Sequence, residues 1–569
     1  MHSHSSSSAE SSRSDSPDTR ATTPSSHSDS DCLPVSHVYL SGTLPCPGGL
    51  KAIFSKHASF DRMGLIVEES DAPAFLGSAP DGQWAKHALN CSKAYYVSST
   101  YRPAVSPSTN VLIPTDPVQA SHQLLFSLSS LRAIISYPSH SLAPSADGSS
   151  GNIPTLDDWK TLWANWDLIT LKMIPAEMLL QKPIDLRHKC LFYIGHIPTF
   201  LDMLICKAIG GEATDPKYFW NIFERGIDPH SHSEVPEKDE DWPTLEAIID
   251  FRNGVRARLQ NLYDDLASGK RQLTRNIART LVMTHEHEGF HVETLLYMLI
   301  QKAGSGTLPP PGFITPPWED LAAQWASILP PDTQSVLVGP ASLTMGHDDS
   351  EGEDKLAHLA ADVQGRTFGW DNESPRRVVS VGAFRAEWRP VTNGLVELPK
   401  SWVLEEDGSV KVRTMYGPVP MNVAEHWPVL TSYDDLASYA KFKGGRLPTE
   451  PELRLFLDIY DVGHEGGANV GFRNWHPTPA TMGLDAYGGK GSNGGIWEWT
   501  STVFDTHEGL VPTQLFTGYS ADFFDTKHQV SLGASYATIP RLAGRRTVRN
   551  FYQHNYPYPW IGARVVYDA

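Results

Sequence analysis

The sequence predicts a multidomain α+β protein in which a helical bundle is followed by a domain of short strands and long loops. Its 569 residues are enough for roughly two to four domains. Four long stretches with helical periodicity lie between residues 155 and 302. After a run of three prolines at 309–311, short strand-like segments alternate with Gly- and Pro-rich turns. The hydrophobic content of 40% leaves enough apolar material for more than one core.

The net charge and the cysteine content indicate which binding partners and which cellular compartment to expect. The net charge is −18 and there is no basic patch with interleaved aromatic residues, so we expect no nucleic-acid partner. No run of 18 apolar residues occurs, so we expect no membrane span. The 5 cysteines include no Cys-x-x-Cys spacing and none follows Cys206. This argues against a thiolate zinc site and indicates a reducing compartment, so we expect a cytoplasmic protein.

The first 150 residues carry the weakest signal. Residues 1–32 are predicted to form a disordered tail, because 13 of the first 31 residues are Ser and few are apolar. They also lack the apolar core of a signal peptide. Residues 33–150 stay unassigned and lead into a linker at 141–154. No glycine-rich loop for a nucleotide or a methyl donor stands between a strand and a helix there.

A four-helix bundle is predicted over residues 151–308, because four amphipathic helices of similar length follow one another. Thr155 and Thr244 are suitable N-caps for the first and third helices. Pro198 favours a kink in the second helix. The helices are expected at 155–174, 186–209, 244–268 and 273–302.

An irregular α+β domain is predicted over residues 309–569. Helices are expected at 432–443 and after Thr449, which forms a capping box with Glu452. Strands are expected within 334–345, 376–388 and 401–413.

The fourth helix carries the pattern LVMTHEHEGFHVETLLYML, which predicts a metal site. His287 and His291 are four residues apart, so both side chains lie on one face of the helix and can bind one ion. Glu293 is rotated by roughly 200° from His291 and therefore faces away from the pair. We expect the third ligand to come from another helix, and His196 in the apolar second helix is the candidate.

Two alternatives remain open at this point. Glu288 between the two histidines completes a His-Glu-x-x-His zinc-peptidase pattern, although the third histidine of its extended form is absent. His196 taken alone is more typical of a hydrogen-bonded core residue than of a ligand. His285 is rotated away from His287 and is expected on the surface or behind the ligands. Imidazole ligands suit zinc, copper or iron, so ligand type leaves the metal open.

Several long motifs occur in a fixed order that identifies a family. They are GHIPTFLD, HEGFHVETLLYM, FGWDNESPRRVVSVGAF, GGRLPTEPEL, NGGIWEWTSTVF, GYSADFFD and NFYQHNYPYPWIGARVV. Over roughly residues 155–569 the chain resembles the ergothioneine-biosynthesis sulfoxide synthases, with the fungal form most similar. The resemblance implies a DinB-like four-helix bundle followed by a C-type-lectin-like (formylglycine-generating-enzyme-like) domain.

The resemblance also implies the cofactor and the reaction. The family holds Fe(2+) with three histidines, matched here by His196, His287 and His291. With dioxygen it joins hercynine to the thiol of cysteine or γ-glutamylcysteine as a sulfoxide. Fungal members usually carry an amino-terminal methyltransferase, which we do not find here, so the resemblance implies a separate histidine methyltransferase upstream. Histidine as the acceptor, as in the ovothiol branch, is the alternative.

Six further residues are candidates for the site. By resemblance, Asn550 and Phe551 match positions that contact hercynine, whereas Tyr552 replaces a carboxylate. Tyr519 and Tyr552 are candidate proton donors. Arg225 is a candidate for the carboxylate of the thiol substrate, and Phe290 is a further candidate substrate contact. Trp497, Glu498 and Trp499 are assigned to structure.

Two rival functions follow from the same residues. A formylglycine-generating enzyme needs cysteines in the second domain, and none lies there. A metal-binding protein with a degraded catalytic site is the other rival. It is supported by the changes at Phe551 and Tyr552 and by ASYATIP, where the family typically reads GGSWATHP.

Overall fold

The structure is a computed structural model, and it describes most of the chain after residue 152. For five strands between residues 38 and 127 it describes the backbone. The described ranges are 153–184, 187–224, 234–301, 307, 318–326, 333–393, 399–460, 469–472, 474–480 and 493–569. The predicted tail over 1–32 and nearly all of the predicted linker over 141–154 lie outside them.

The region that the sequence left unassigned contains an antiparallel sheet. The strand order is β1-β5-β2-β4-β3, and every neighbouring pair is antiparallel. The longest strand includes the apolar run Gly-Leu-Ile-Val, which is typical of a sheet interior. Its strands are β1 (Val38–Tyr39), β2 (Arg62–Glu68), β3 (Trp84–Ala88), β4 (Lys93–Ser98) and β5 (His122–Ser127).

The predicted bundle is present. Thr155 and Thr244 cap the first and third long helices, since their side chains accept hydrogen bonds from the amides of Asp158 and Ala247, each at 3.2 Å. The first long helix continues into a π-helical turn at Ile169–Met173. The helices are α1 (Leu156–Leu168), α2 (Cys190–Ile209), the short α3 (Phe219–Phe223), α4 (Leu245–Ala267) and α5 (Arg275–Gln301).

Helix α2 forms the centre of the bundle and packs against α4 and α5. It runs through Pro198 as one continuous helix. Among the described helices, it alone is long and apolar enough to cross a membrane, but 78% of that window is buried inside the protein. This degree of burial is that of a core helix.

The second half is an α+β region of short strands in four small sheets, as the sequence predicts. The sheets have the orders β10-β11-β12, β15-β14-β13-β16, β17-β9-β6 and β7-β8. Thr449 and Glu452 form the predicted capping box at the start of α9, with Glu452 accepting from the Thr449 amide at 2.8 Å. The helices are α6 (Trp318–Ala326), α7 (Met421–Ala424), α8 (Tyr433–Phe442), α9 (Glu450–Tyr460) and α10 (Pro540–Ala543). The strands are β6 (Ser335–Val338), β7 (Ala341–Met345), β8 (Arg377–Val381), β9 (Phe384–Glu387), β10 (Trp402–Leu404), β11 (Val410–Thr414), β12 (Gly417–Pro420), β13 (Trp497–Val503), β14 (His528–Gly533), β15 (Asn550–Gln553), β16 (Ile561–Gly562) and β17 (Val566–Asp568).

Strand β13 lies in the core of this half. Trp497 and Trp499 are fully buried, as the sequence predicts. Glu498 between them forms a bidentate ion pair with Arg564, at 2.7 and 2.8 Å, and both side chains are fully buried. A buried pair with this geometry fixes the register of the surrounding backbone.

Helix α5 is shared by the two halves. Its residues pack against α2 and α1 on the bundle side, and against α10 and β11 of the second half. Gly289 illustrates the closeness of this contact, because a Cβ at that position would lie 2.4 Å from the Ile539 side chain. The histidines of α5 therefore lie at the seam between the bundle and the second half.

Candidate metal centre

Three histidines meet at the seam, two from α5 and one from α2. One ring nitrogen from each of His196, His287 and His291 lies within 4.8 Å of the other two. The Nε2 atoms of His196 and His287 are 3.4 Å apart. His196 and His287 are buried, whereas His291 keeps partial exposure. The spacing of the pair and the contribution of a second helix thus agree with the sequence prediction.

The orientation of His196 suits metal binding through Nε2. Its Nδ1 lies 2.7 Å from the carbonyl oxygen of Phe223 and donates a hydrogen bond to it, so Nε2 carries the lone pair. Among the described residues, the Nδ1 atom of His291 is buried without a hydrogen-bond partner. Three convergent imidazoles with free nitrogen lone pairs fit a divalent transition metal.

Gly195 brings Phe223 close enough for this hydrogen bond. A Cβ at residue 195 would lie 2.5 Å from the Phe223 ring. We predict that Gly195→Ala destabilises the protein by about 1–3 kcal/mol and lowers its metal content, because the ring and the attached carbonyl must move. Urea unfolding and metal analysis check this. Gly382→Ala is the control, since nothing lies within 4 Å of a Cβ there; equal effects of the two changes would contradict the prediction.

The electrostatics keep the three imidazoles neutral. Burial lowers the pKa of His196 to about 4, and it lowers the pKa values of His287 and His291 well below the ordinary value near 6.5. The neighbouring histidines lower the pKa of His287 and His291 further. Neutral imidazole is the form that binds a metal, so the site needs no proton release at neutral pH.

These pKa values predict an acid-sensitive stability in the metal-free protein. Below about pH 6.5 the unfolded chain binds a proton at each of these histidines, and the folded chain does not until far lower pH. The free energy of unfolding should therefore fall as pH drops from about 6.5 towards 4, and His196 should contribute about 2 kcal/mol of this drop at pH 5. Urea unfolding of the apoprotein at pH 7 and pH 5 measures this. His196→Phe should reduce the drop by about one histidine's share, and an unchanged drop would contradict the assignment.

Aromatic rings enclose one side of the three histidines. The Phe200 ring stacks on the His287 ring with centroids 3.8 Å apart and an interplanar angle of 24°. Phe516, from the second half, contacts His287 edge-on at 5.8 Å and Phe200 at 4.7 Å. These rings cover the His287 side of the three histidines with apolar surface.

Two other polar residues of the histidine motif face elsewhere. His285 is 5% exposed and its ring contacts Trp159 edge-on at 4.9 Å, so the expected surface position is wrong. Glu288 is also buried, and its electrostatic neighbours are Arg256, Asp167 and Arg252. Burial raises the pKa of Glu288 to about 8. Among the described residues, the convergent ligand group therefore contains no glutamate of the kind that a zinc peptidase needs.

Glu293 faces away from the histidines, as its spacing predicts. Its carboxylate accepts hydrogen bonds from the Trp497 indole at 2.8 Å and from the hydroxyls of Ser535 and Thr538, each at 2.7 Å. The last two residues belong to ASYATIP, the segment that departs from the family's sequence. Glu293 therefore joins α5 to the second half and is no member of the ligand group.

A buried ion network next to His287 escapes sequence analysis. Glu286 accepts from the Trp370 indole at 3.0 Å, from Arg541 Nε at 3.0 Å and from Arg545 at 2.7 Å. Arg545 also donates to Glu373 at 2.8 and 3.0 Å. Both glutamates are fully buried. The motif containing FGWDNES signals a role for Trp370 and Glu373, but its partners lie far away along the chain.

The candidate proton donor Tyr519 packs against Trp370, a residue of the Glu286 network. The Tyr519 ring stacks on the Trp370 ring with centroids 3.9 Å apart. Both pack in an apolar cluster with the candidate Phe290 and with Phe200 and Phe516, and the last two contact the ring of His287. Burial raises the pKa of Tyr519 well above its ordinary value, so its hydroxyl keeps its proton.

The candidate residues on β15 point to opposite faces of the strand. Asn550 donates to the Tyr552 hydroxyl at 3.2 Å, and Tyr552 packs on the core that contains α5. Phe551 points the other way, where its ring stacks on Phe504 at 4.0 Å. Phe551 is therefore placed in core packing, 6.0 Å from the Tyr519 ring. Arg225 lies outside the described residues.

Comparison with known proteins places the chain in a family. Residues 159–295 match the DinB superfamily. The chain is 38% identical to "Ergothioneine biosynthesis protein 1" of Neurospora crassa over 538 residues, covering 76% of this chain and 59% of that protein. The chain is a member of this ergothioneine biosynthesis family. The Schizosaccharomyces pombe protein of the same name is 37% identical, covering 73% of this chain and 56% of that protein.

More distant matches extend the comparison. "Hercynine oxygenase" of Mycobacterium tuberculosis is 28% identical, covering 37% of this chain and 58% of that protein. Among solved structures, PvdO from Pseudomonas aeruginosa matches with a TM-score of 0.28 and 17% identity, covering 41% of this chain and 94% of PvdO. The chain spans a little over half the length of each of the two fungal relatives.

Proposed function

We propose that the protein is a non-haem Fe(2+), dioxygen-dependent sulfoxide synthase of ergothioneine biosynthesis. It joins the imidazole carbon of hercynine to the thiol of cysteine or γ-glutamylcysteine. The observation that carries this proposal is the convergence of His196, His287 and His291 without a carboxylate beside them in the described part of the chain. Membership of a family with ergothioneine biosynthesis proteins supports the same reaction.

His196, His287 and His291 would hold the ion, and three imidazole ligands would leave coordination positions for substrates. When bound, ferrous iron supplies the oxygen and thiolate chemistry that no protein side chain can supply. The chain itself binds and orients the two substrates beside each other, which removes much of the entropic barrier to bond formation. The Phe200 and Phe516 rings give the His287 side an apolar lining.

Tyr519 is our candidate for the group that holds and delivers a proton. Its hydroxyl is protonated at neutral pH, and stacking on Trp370 fixes its ring. Trp370 is fixed in turn by Glu286, the residue next to His287. Tyr552 is the second candidate, and Asn550 fixes its hydroxyl by a hydrogen bond.

The domain arrangement is part of the proposal. We assign residues 151–308 to the DinB-like bundle that supplies the iron ligands, and residues 309–569 to a C-type-lectin-like domain that covers them. The hydrogen bonds from Trp497, Ser535 and Thr538 to Glu293 support this arrangement, because they fix the second half against the ligand helix.

Anaerobic loading with iron followed by turnover in air tests the proposal. The loaded protein should consume oxygen when hercynine and cysteine, or hercynine and γ-glutamylcysteine, are both present. Mass spectrometry should then detect the corresponding hercynyl sulfoxide. Oxygen consumption without a carbon–sulfur product, or stoichiometric zinc with peptide cleavage, would contradict it.

A further inference from the structure

A cavity of about 230 Å³ lies at the seam between α5 and the second half. Arg279 and Met283 of α5 form one wall, and loops of the second half form the others. The mouth of the cavity faces solvent, since Val511 is 72% exposed and the Asp348 side chain is 60% exposed. We call it the acidic cavity, because carboxylates outnumber arginines in its described lining. These residues are Asp348, Asp349, Glu351, Glu353 and Asp371, with Arg279 and Arg366.

The acidic cavity does not suit the organic substrates. Pockets that enclose small-molecule ligands usually measure about 300–1,000 Å³, and this cavity is smaller. Two of its carboxylates already have partners, since Asp349 pairs with Arg279 at 2.6 Å and Glu351 accepts from Thr513 at 2.6 Å. The negative charge of the lining also repels the carboxylates of cysteine and γ-glutamylcysteine. The cavity is therefore better suited to a small uncharged molecule.

An apolar cluster connects the acidic cavity with the metal ligands. Met283 and Trp370 line the cavity and pack with Phe200 in this cluster. The Phe200 ring stacks on the ring of His287, with centroids 3.8 Å apart. We call the buried members of the cluster the apolar layer, and none of them is more than 8% exposed. They are Phe200, Leu204, Met283, Trp370 and Leu515.

Helix geometry places the apolar layer beside two of the three ligands. Met283 precedes His287 by four residues on α5, and Phe200 follows His196 by four residues on α2. Residues four apart lie on one face of a helix, so each of these ligands has a neighbour from the layer one turn away. Met283 is the most flexible member, because its unbranched side chain has three rotatable bonds. Rotation of this side chain can open a transient passage from the cavity to Phe200.

The chemistry of the apolar layer distinguishes between the substrates. A zwitterion or a carboxylate would lose its hydration there without gaining hydrogen-bond partners. Dioxygen is uncharged and apolar, so it dissolves more readily in such a layer than in water. Of the three substrates in the proposed reaction, dioxygen is therefore the one that can cross the layer.

We propose that dioxygen reaches the metal centre from the acidic cavity, past Met283 and through the apolar layer. This inference rests on the proposed function, because the route serves a reaction that consumes oxygen. Hercynine and the thiol substrate reach the three histidines from elsewhere, so their binding leaves the supply of oxygen open. The size and flexibility of the side chain at position 283 set the rate of entry.

Xenon-pressurised crystals of the full chain provide a test that needs neither iron nor turnover. Xenon is apolar, is easily located by diffraction and binds in apolar cavities of proteins. We expect a xenon peak in contact with the side chains of Met283 and Phe200. A structure with no xenon in the apolar layer would overturn the route.

Steady-state kinetics of the iron-loaded protein provide the second test. Met283→Phe replaces a flexible side chain by a stiff ring, and it should raise the KM for dioxygen by about 5-fold or more. The KM values for hercynine and the thiol, and kcat at saturating oxygen, should stay within about 2-fold of wild type.

Met298→Phe is the matched control. Met298 is another buried methionine of α5, but it packs in the large core cluster outside the apolar layer. Its replacement should cost stability and leave the KM for dioxygen unchanged. If Met283→Phe fails to fold, Leu515→Phe takes its place, because Leu515 belongs to the same layer and comes from the second half.

The contrary outcomes separate this inference from the proposed function. An unchanged KM for dioxygen in Met283→Phe, or equal changes in Met283→Phe and Met298→Phe, would overturn the route while the wild type still makes the sulfoxide. A wild type that consumes no oxygen with both organic substrates present would overturn the proposed function and this inference together, whatever the xenon peaks show.

Discussion

His287→Ala is expected to remove the metal and abolish product formation. His287 is one of three rings at similar separations, with ring centroids 4.5 Å from His291 and 5.1 Å from His196. Its loss leaves two imidazoles, too few to retain a ferrous ion through purification. Activity should fall by more than the roughly 10–100-fold that changes around an intact metal usually cause. Iron analysis of anaerobically loaded protein, together with the sulfoxide yield, measures both effects.

His285→Ala is the matched control for this change. It removes another buried histidine of α5, two residues away, whose ring contacts Trp159 and which is outside the group of convergent ligand atoms in the described residues. It should cost stability but retain one equivalent of iron. Full iron content in His287→Ala, or equal loss in the two variants, would contradict the assignment of the ligands.

Arg545→Met is expected to have the largest effect on stability. The Arg545 guanidinium lies between the fully buried carboxylates of Glu286 and Glu373. Removal of its charge leaves both carboxylates buried and poorly compensated, which costs about 3–5 kcal/mol. Since Glu286 also holds Trp370, and Trp370 holds Tyr519, the variant should lose activity beyond its loss of folded protein.

Arg546, the next residue in the sequence, provides the control variant for Arg545→Met. Arg546 pairs with Asp458 at 2.6 Å, but its side chain is 39% exposed. Arg546→Met should cost less than about 1 kcal/mol, because exposed ion pairs contribute little. Urea unfolding of the two variants measures the difference. If Arg545→Met lowers the free energy of unfolding by less than about 1 kcal/mol, the buried ion network does not stabilise the packing of the second half against α5.

The ligand helix could be predicted from the sequence because helical geometry is local. The spacing of His287 and His291 fixes their common face, and the spacing of Glu293 fixes its opposite direction, whatever the rest of the fold does. Predicting His196 as a ligand also required an assumption about tertiary structure, because its helix is separate from α5. The assumption was that a histidine in an apolar helix needs a bound metal or a hydrogen-bond partner. The caps at Thr155, Thr244 and Thr449 are likewise local signals.

The rest of the site depends on contacts between distant segments. Glu286 is hydrogen-bonded to Trp370, 84 residues away in the sequence, and to Arg545, 259 residues away. No rule of sequence spacing predicts contacts between positions so far apart. The sheet of β1–β5 escaped prediction because its short apolar runs stand among Pro and Ser clusters that resemble loops.

Diffraction from the iron-loaded protein, recorded at the iron absorption edge, is the most direct test of whether the three histidines bind one iron ion. We expect a single iron peak about 2.1 Å from one ring nitrogen each of His196, His287 and His291, because this distance is typical of metal–imidazole bonds. Iron bound at another place, or bound by Glu288 or Glu293 instead of His196, would contradict it.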